Sequence, residues 1–368
     1  MLNQSTLLQV PFLNFTTLSF AAPLIANDLE RFFNKNYETQ TYIWNGPSQV
    51  VERITALVTI QGAILPLTAP SPNSSWHLEF WGPSLKCGNV DDARRLRIKS
   101  NIATYTNQDA MTCLNNRPLY LAWFQDLPYI LINGTYYWIE LATDPGSNAT
   151  ITIAVFPRTL SGSDTCESDQ YNNTLLNAST MIQCQLFNST YKADFVYLDS
   201  SQSIAVNAPV KSSDKPLTTF HYVSQRVSSD NTLSECIRLD NDTFLELCDF
   251  DPAILSIISY QAVMEAFTSV LSGTVIGDYD DKIIRNSSIL STALVDTKEL
   301  AFLNNQTGYF GGIRLDQADL GSSLAKLGKI GFPRTSLNHL APNQSLSDAL
   351  EEMFRNLTIS LMSSDLLR

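Results

Sequence analysis

Tyr129-Ile-Leu-Ile-Asn-Gly-Thr-Tyr-Tyr-Trp138 carries the clearest strand-turn-strand pattern in the chain. Asn133-Gly134 supplies the two positive-φ positions of a type I′ turn, between short runs rich in β-branched and aromatic residues. That turn sets Ile130 opposite Tyr137 on one face and Leu131 opposite Tyr136 on the other. Both faces are apolar, which predicts a hairpin inside a sandwich and not at its edge. Asn133 also opens an Asn-X-Thr glycan acceptor, so the turn itself must face solvent.

Outward from this hairpin, from about Thr41 to Val223, the chain keeps short alternating or β-branched runs punctuated by Gly, Pro, Asn and Ser. Strands are expected over Val50–Thr59, Trp76–Trp81, Leu119–Phe124, Tyr129–Ile132, Thr135–Leu141, Ala149–Val155, Gln183–Leu186, Tyr191–Leu198 and Gln202–Val206. The last two read as a second hairpin joined by Asp199-Ser200-Ser201.

From about Asp249 the period becomes helical. Asp251 is an N-cap with Pro252 at the first helical position, and Ile254, Leu255, Ile258, Ala262, Phe267 and Leu271 recur at helical spacing until Gly273. The closing segment from Ser345 has a capping-box start and an apolar stripe of Leu346, Leu350, Met353, Leu357 and Leu361. Asn356 lies near the edge of that stripe, about 100° from its centre. Leu271 to Leu340 reads as irregular, with short helical pieces near Asp296–Leu303 and Ser322–Leu327, and Ala26–Lys35 reads as a short helix. The expected class is α+β: an amino-terminal antiparallel β-sandwich-like region followed by a helical carboxyl-terminal region. The expected organisation is an extension over 1–40, a β-rich disulfide-bonded region over 41–248, and a mainly helical region over 249–368 packed on it.

The chain has 368 residues, 24 Lys plus Arg against 36 Asp plus Glu, and a formal net charge of -12. Such a surface repels phosphate backbones, which argues against a nucleic-acid partner. Asn-X-Ser/Thr acceptors begin at Asn3, Asn14, Asn73, Asn133, Asn148, Asn172, Asn177, Asn188, Asn241, Asn286, Asn305, Asn343 and Asn356. About five would arise by chance from 27 Asn, so the excess points to the secretory pathway. Six cysteines agree with an oxidising compartment. They allow fifteen connectivities. Sequence proximity favours Cys87 with Cys113, Cys166 with Cys184, and Cys236 with Cys248. None has the CxxC spacing of a zinc or redox site.

The first 26 residues are fairly apolar but lack a basic n-region and are interrupted by Asn3, Gln4, Gln9 and Asn14, so the targeting element is expected outside the segment. Ala253–Gly277 is the most apolar stretch, yet it carries Gln261 and Glu265 and is flanked by acceptors at Asn241 and Asn286. A single span would leave one acceptor in the cytosol, so a buried core helix is expected.

Three blocks, Trp76-His-Leu-Glu-Phe-Trp-Gly-Pro-Ser-Leu-Lys-Cys87, Asp251 to Phe267, and Leu350 to Ser364, together resemble a large family of uncharacterised filamentous-fungal multi-spanning membrane glycoproteins. The resemblance covers roughly Pro66 to the C-terminus. It implies an extracytoplasmic domain, on the extracellular side of the plasma membrane or in the secretory lumen, anchored through segments outside this chain. It transfers no catalytic residues.

The residues capable of chemistry fall in no recognisable catalytic pattern. His77, His221 and His339 have no His or Cys at ligand spacing, and no G-x-S-x-G elbow accompanies them. The acidic clusters Asp240-Asn-Asp242, Asp249-Phe-Asp251 and Asp278-Tyr-Asp-Asp281 do not match a calcium loop and read as solvated loops or caps. Gly273 to Gly277 and Gly311-Gly312 read as a C-cap and a turn. Trp44, Trp76, Trp81, Trp123 and Trp138 could form a sugar-binding stripe, but sandwich core is the expectation. No catalytic residue, cofactor or metal ligand is assigned. The leading expectation is non-enzymatic recognition, wall association or structural support, with a glycan or another cell-surface protein as candidate partners. The rival is a secreted carbohydrate-active hydrolase using paired carboxylates.

Overall fold

The computed structural model describes residues 11–21, 39–43, 46–105, 117–124, 129–132, 135–138, 149–156, 179–211, 214–217, 222–226, 252–277, 283–285, 287–303 and 344–367. Its elements in chain order are β1 (Thr39–Ile43), α1 (Gln49–Gln61), β2 (Ser74–Asn89), α2 (Asp92–Tyr105), β3 (Arg117–Phe124), β4 (Tyr129–Ile132) and β5 (Thr135–Trp138). They continue with β6 (Thr150–Val155), β7 (Thr180–Leu198), β8 (Ser201–Asn207), β9 (Tyr222–Arg226), α3 (Pro252–Leu271), β10 (Gly273–Gly277), β11 (Ile283–Arg285) and α4 (Leu346–Ser360).

In place of two facing sheets, the described strands form one seven-stranded antiparallel sheet and two separate ribbons, β1–β9 and β4–β5. The large sheet runs β11-β10-β3-β6-β7-β2, with β8 paired to the second half of β7. Every residue of β6 is buried, as are Leu119 to Trp123 of β3, so these central strands are covered on both faces. Tyr120, Ala122, Ile151, Ile153, Val155, Ile182 and Cys184 share one core with buried residues of α1, α3 and α4. Leu121, Trp123, Ala154 and Met181 point the other way and are buried too, and Arg94 of α2 reaches Gln183 on that side. Helices thus do much of the covering expected of a second sheet.

The run Val50–Thr59, expected as a strand, is the heart of α1. Its buried positions are Val51, Ile54, Thr55, Val58 and Thr59, a helical stripe that overrides the β-preference of the residues. The threonine hydroxyls find acceptors within the helix, Thr55 on Val51 O at 2.7 Å and Thr59 on Ala56 O at 3.0 Å. Gly62 closes the helix at φ 71°. α2 was hidden for the opposite reason, since eight of its fourteen residues are polar or charged, while Ile98 is buried. Asp91 starts it by accepting from Arg94 N at 2.9 Å.

β4 and β5 pair in the expected register, Ile130 with Tyr137 and Leu131 with Tyr136. They stand as their own two-stranded ribbon. The turn at 133–134 lies outside the described residues, as do the helices expected over 26–35 and 322–327. The expected strands Gln183–Leu186 and Tyr191–Leu198 are one strand, because Phe187 to Thr190 stay in register with β2. The β7–β8 turn needs only Asp199 and Ser200, at φ 49° and 64°, with Ser201 already paired to Leu198.

The segment after Leu271, expected to be irregular, instead adds strands to the sheet. Gly273, at φ 121°, turns the chain from α3 straight into β10, which pairs with β3. The helical piece expected at Asp296–Leu303 is a 3₁₀ turn at Ala293–Asp296, with helical residues at 301–303. α4 matches its sequence closely. Ser345 Oγ accepts from Asp348 N at 3.1 Å, and Leu346, Leu350, Met353, Leu357 and Leu361 are all buried.

Cys87 is bonded to Cys184, 97 residues away, which corrects the pairings Cys87–Cys113 and Cys166–Cys184. Proximity along the chain was the wrong guide, because β2 pairs with β7 across the intervening β3 to β6 and brings the two cysteines directly opposite. Cys113, Cys166, Cys236 and Cys248 lie outside the described residues. The Cα separation of 4.0 Å marks a non-hydrogen-bonded pair, so every second residue of β2 from Cys87, including Pro83, points its backbone groups away from β7. Pro83 can therefore occupy an edge strand without breaking the ladder. α4 covers this edge: Thr358 Oγ1 donates to Pro83 O at 3.2 Å, and Cys87 N donates to Glu351 Oε1 at 2.8 Å.

Four tyrosines among the described residues are buried with their hydroxyls on internal acceptors: Tyr120 on Leu271 O, Tyr191 on Pro83 O, Tyr197 on Leu67 O and Tyr260 on Asn188 Oδ1. Burial pushes the Tyr191 hydroxyl from 10.0 up to about 12, against the opposing pull of the Thr358 and Ser84 hydrogen bonds and the Arg355 charge. Burial raises Tyr120 and Tyr260 as well. The folded state thus favours the neutral phenols. Their contribution is complete below pH 10 and is lost as pH climbs through the raised values. Stability is expected to fall steeply above about pH 10, by up to about 1.4 kcal/mol per pH unit for each buried tyrosine. Absorbance at 295 nm should show these buried tyrosines, Tyr197 among them, ionising together with loss of the far-UV circular dichroism signal, after the exposed tyrosines. Smooth titration of every tyrosine before unfolding would contradict it.

Candidate functional site

Beyond residue 81, β2 and β7 change which side they bury. From Ser74 to Trp81 burial alternates, with Trp76, Leu78 and Phe80 inward and Ser75, His77, Glu79 and Trp81 outward. From Gly82 to Leu85 every residue is buried, although the pairing with β7 continues without a register shift. The three-stranded arm of β2, β7 and β8 therefore has one covered face and one open face.

The covered face carries aromatic stacks, Trp76 on Phe195 at 4.8 Å, Trp76 on Tyr197 at 5.4 Å, and Phe80 on Tyr191 at 5.1 Å. The last stack passes over Gly82, where an added Cβ would come within 3.2 Å of Phe80 and 3.3 Å of Tyr191. On the open face His77 stands opposite Asp194, Glu79 opposite Lys192 and Trp81 opposite Thr190. His77 Nδ1 lies 2.8 Å from Asp194 Oδ1, and Lys192 Nζ lies 3.5 Å from Glu79 Oε1. Exposed pairs of this kind contribute at most about 1 kcal/mol each. Between and beyond them three apolar side chains face water: Trp81 at 62%, Leu198 at 65% and Val196 at 37% of full exposure.

Two glycan acceptors border this face. Asn188 shares the outward side of β7 with Thr190 and is exposed, and its Oδ1 accepts from the buried Tyr260 hydroxyl at 3.2 Å. Asn73 is exposed one residue before β2, next to the β7–β8 turn, and its Oδ1 accepts from Asp199 N at 2.9 Å. In each, the side-chain oxygen is held by the protein, and Nδ2 is the atom to which a glycan would be joined.

The other described acceptors differ. Asn14 is half-buried, with its Oδ1 taken by Thr16 N at 3.0 Å and Thr16 Oγ1 at 2.6 Å. Asn356 is half-buried, its Nδ2 donates to Gly62 O at 3.1 Å, and Thr358 of the same acceptor is fully buried. That sequence serves the α1–α4 contact. Asn3, Asn133, Asn148, Asn172, Asn177, Asn241, Asn286, Asn305 and Asn343 lie outside the described residues, as do His221, His339, Gly311-Gly312 and the three acidic clusters.

Of the tryptophans expected in a core, Trp123 is buried, Trp76 is half-buried and Trp81 is exposed. Alternation along Trp76-His-Leu-Glu-Phe-Trp81 already puts Trp81 on the side of His77 and Glu79. That signal was present in the sequence. Among the described residues no group of three or more His, Cys, Asp or Glu could hold a metal ion, and no helix is long and apolar enough to cross a membrane. Comparison of the chain with protein-family models, curated proteins and solved structures finds no match.

Proposed function

We propose that this chain is an extracytoplasmic, N-glycosylated domain of a fungal membrane protein, with a non-enzymatic role in recognition, wall association or structural support. The observation that carries the reading is the Cys87–Cys184 bond, a disulfide between opposed residues of adjacent strands, which persists in oxidising compartments. Asn73 and Asn188, both presented on the surface with their carbonyl oxygens tethered, support it. So does the excess of acceptor sequences. The membrane and fungal parts rest on the likeness of the three sequence blocks described above.

The test is expression of the chain through a eukaryotic secretory pathway and digestion with a glycan-releasing amidase. A mass loss is expected, with Asn73 and Asn188 converted to aspartate and Asn356 unchanged. Recovery of an unglycosylated product whose six cysteines all react as thiols would overturn the proposal.

A further inference from the structure

The geometry points to Trp81 as the stacking platform for a glycan on Asn188, so that the first sugar of that glycan covers the exposed indole. This inference rests on the glycosylation proposed above and extends it to what the glycan does. Trp81 is 62% exposed on the edge strand β2, and among the described residues no ring stacks on it. Its strand partner is Thr190, the hydroxyl residue of the acceptor sequence Asn188-Ser189-Thr190. Trp81 and Thr190 form a non-hydrogen-bonded pair, being six residues along β2 from Cys87, so their side chains approach closely. Asn188 is the diagonal neighbour of Trp81 on the same face, about 7 Å away across the strands.

The Tyr260 hydroxyl holds Asn188 Oδ1 at the margin of the helix-covered region. This restricts the carboxamide, with Oδ1 engaged and Nδ2 the atom to be glycosylated. Glycosylation replaces one Nδ2 hydrogen with a bond to the anomeric carbon of the sugar. The bond from that carbon to the pyrophosphate of a lipid-linked oligosaccharide donor breaks, and the amide proton passes to solvent. The first N-acetylglucosamine offers a flat patch of axial C–H groups, and an indole face is the best aromatic partner for such partial positive charge. Stacking removes apolar area on both partners from water. At the other end of the face Asn73 stands beside the turn that follows exposed Leu198.

The experiment compares wild type, Thr190→Val, Trp81→Ala and the double variant, all secreted from a eukaryotic host. Thr190→Val removes the acceptor while keeping a β-branched residue and leaving the Asn188–Tyr260 contact intact. Peptide mapping is expected to find Asn188 occupied in wild type and Trp81→Ala only. The acrylamide quenching that is lost on Trp81→Ala should be larger in the Thr190→Val background, because the indole is uncovered there. Loss of the acceptor should lower Tm by about 2 °C when Trp81 is present and leave it unchanged in the Trp81→Ala background. Trimming wild type to its first sugar with an endoglycosidase should preserve both effects. Glycans elsewhere with Asn188 empty would overturn the inference alone, as would an occupied Asn188 with equal quenching and Tm in the two backgrounds. A chain without glycan at any site would overturn the functional proposal as well.

Discussion

Replacing both Cys87 and Cys184 with alanine is expected to cost about 4 kcal/mol of stability, read from the guanidinium unfolding midpoint. The bond closes a loop spanning a sequence separation of 97, and the chain-entropy estimate for a loop of about 100 residues is close to 5 kcal/mol. Other bridges inside that loop would lower the figure. The loss should appear mainly through the unfolded state, because the folded site keeps its remaining ties: Cys87 N still reaches Glu351, and the β2–β7 ladder is unbroken. Cys184 is fully buried, so alanine also leaves a small void there. Peptide mapping under non-reducing conditions should link the fragment containing Cys87 to that containing Cys184. A link from Cys87 to Cys113, or a loss below about 1 kcal/mol, would show the strand pairing to be wrong.

Phe354→Ala is expected to be comparably damaging, at about 3 to 5 kcal/mol. Phe354 of α4 and Phe267 of α3 are both fully buried and meet edge to face at 5.2 Å and 82°. Removing either ring opens one shared cavity, so the double variant with Phe267→Ala should cost less than the sum of the singles, by about 1 kcal/mol. Phe354→Leu keeps most of the volume and should cost less than half as much as alanine. α4 also carries Thr358 and Glu351, which satisfy Pro83 O and Cys87 N on the open edge of β2. Loosening α4 should therefore speed hydrogen exchange at the Cys87 amide before it affects the centre of the sheet. Additive losses with unchanged exchange there would separate α4 from that edge.

These two sites explain why some of the architecture could be read in advance and some could not. The stripe from Leu346 to Leu361, the Pro252 start of α3 and the β4–β5 register are local patterns, decided by side chains three, four or two residues apart. Val50 to Thr59 misled because both its β-branched content and its buried stripe are real, and packing against α3 and α4 settles the conflict. The polar α2 offered no periodic signal at all. For the candidate site, alternation along β2 showed which side Trp81 takes, and the acceptor sequence marked Asn188. That the two are diagonal neighbours depends on the β2–β7 pairing, which short-range pattern does not encode.

Charge, acceptor triplets and helical or hairpin periods are properties of neighbouring residues, so the compartment signals and the strongest local elements are legible along the chain. It took long-range packing to make seven of the described strands one sheet, to bring Cys87 to Cys184, to draw β10 and β11 out of the helical region into that sheet, and to expose Asn188 while tying Asn356 to the end of α1. Those outcomes turn on which distant surfaces bury one another, and burial is a sum over contacts that close loops of about a hundred residues.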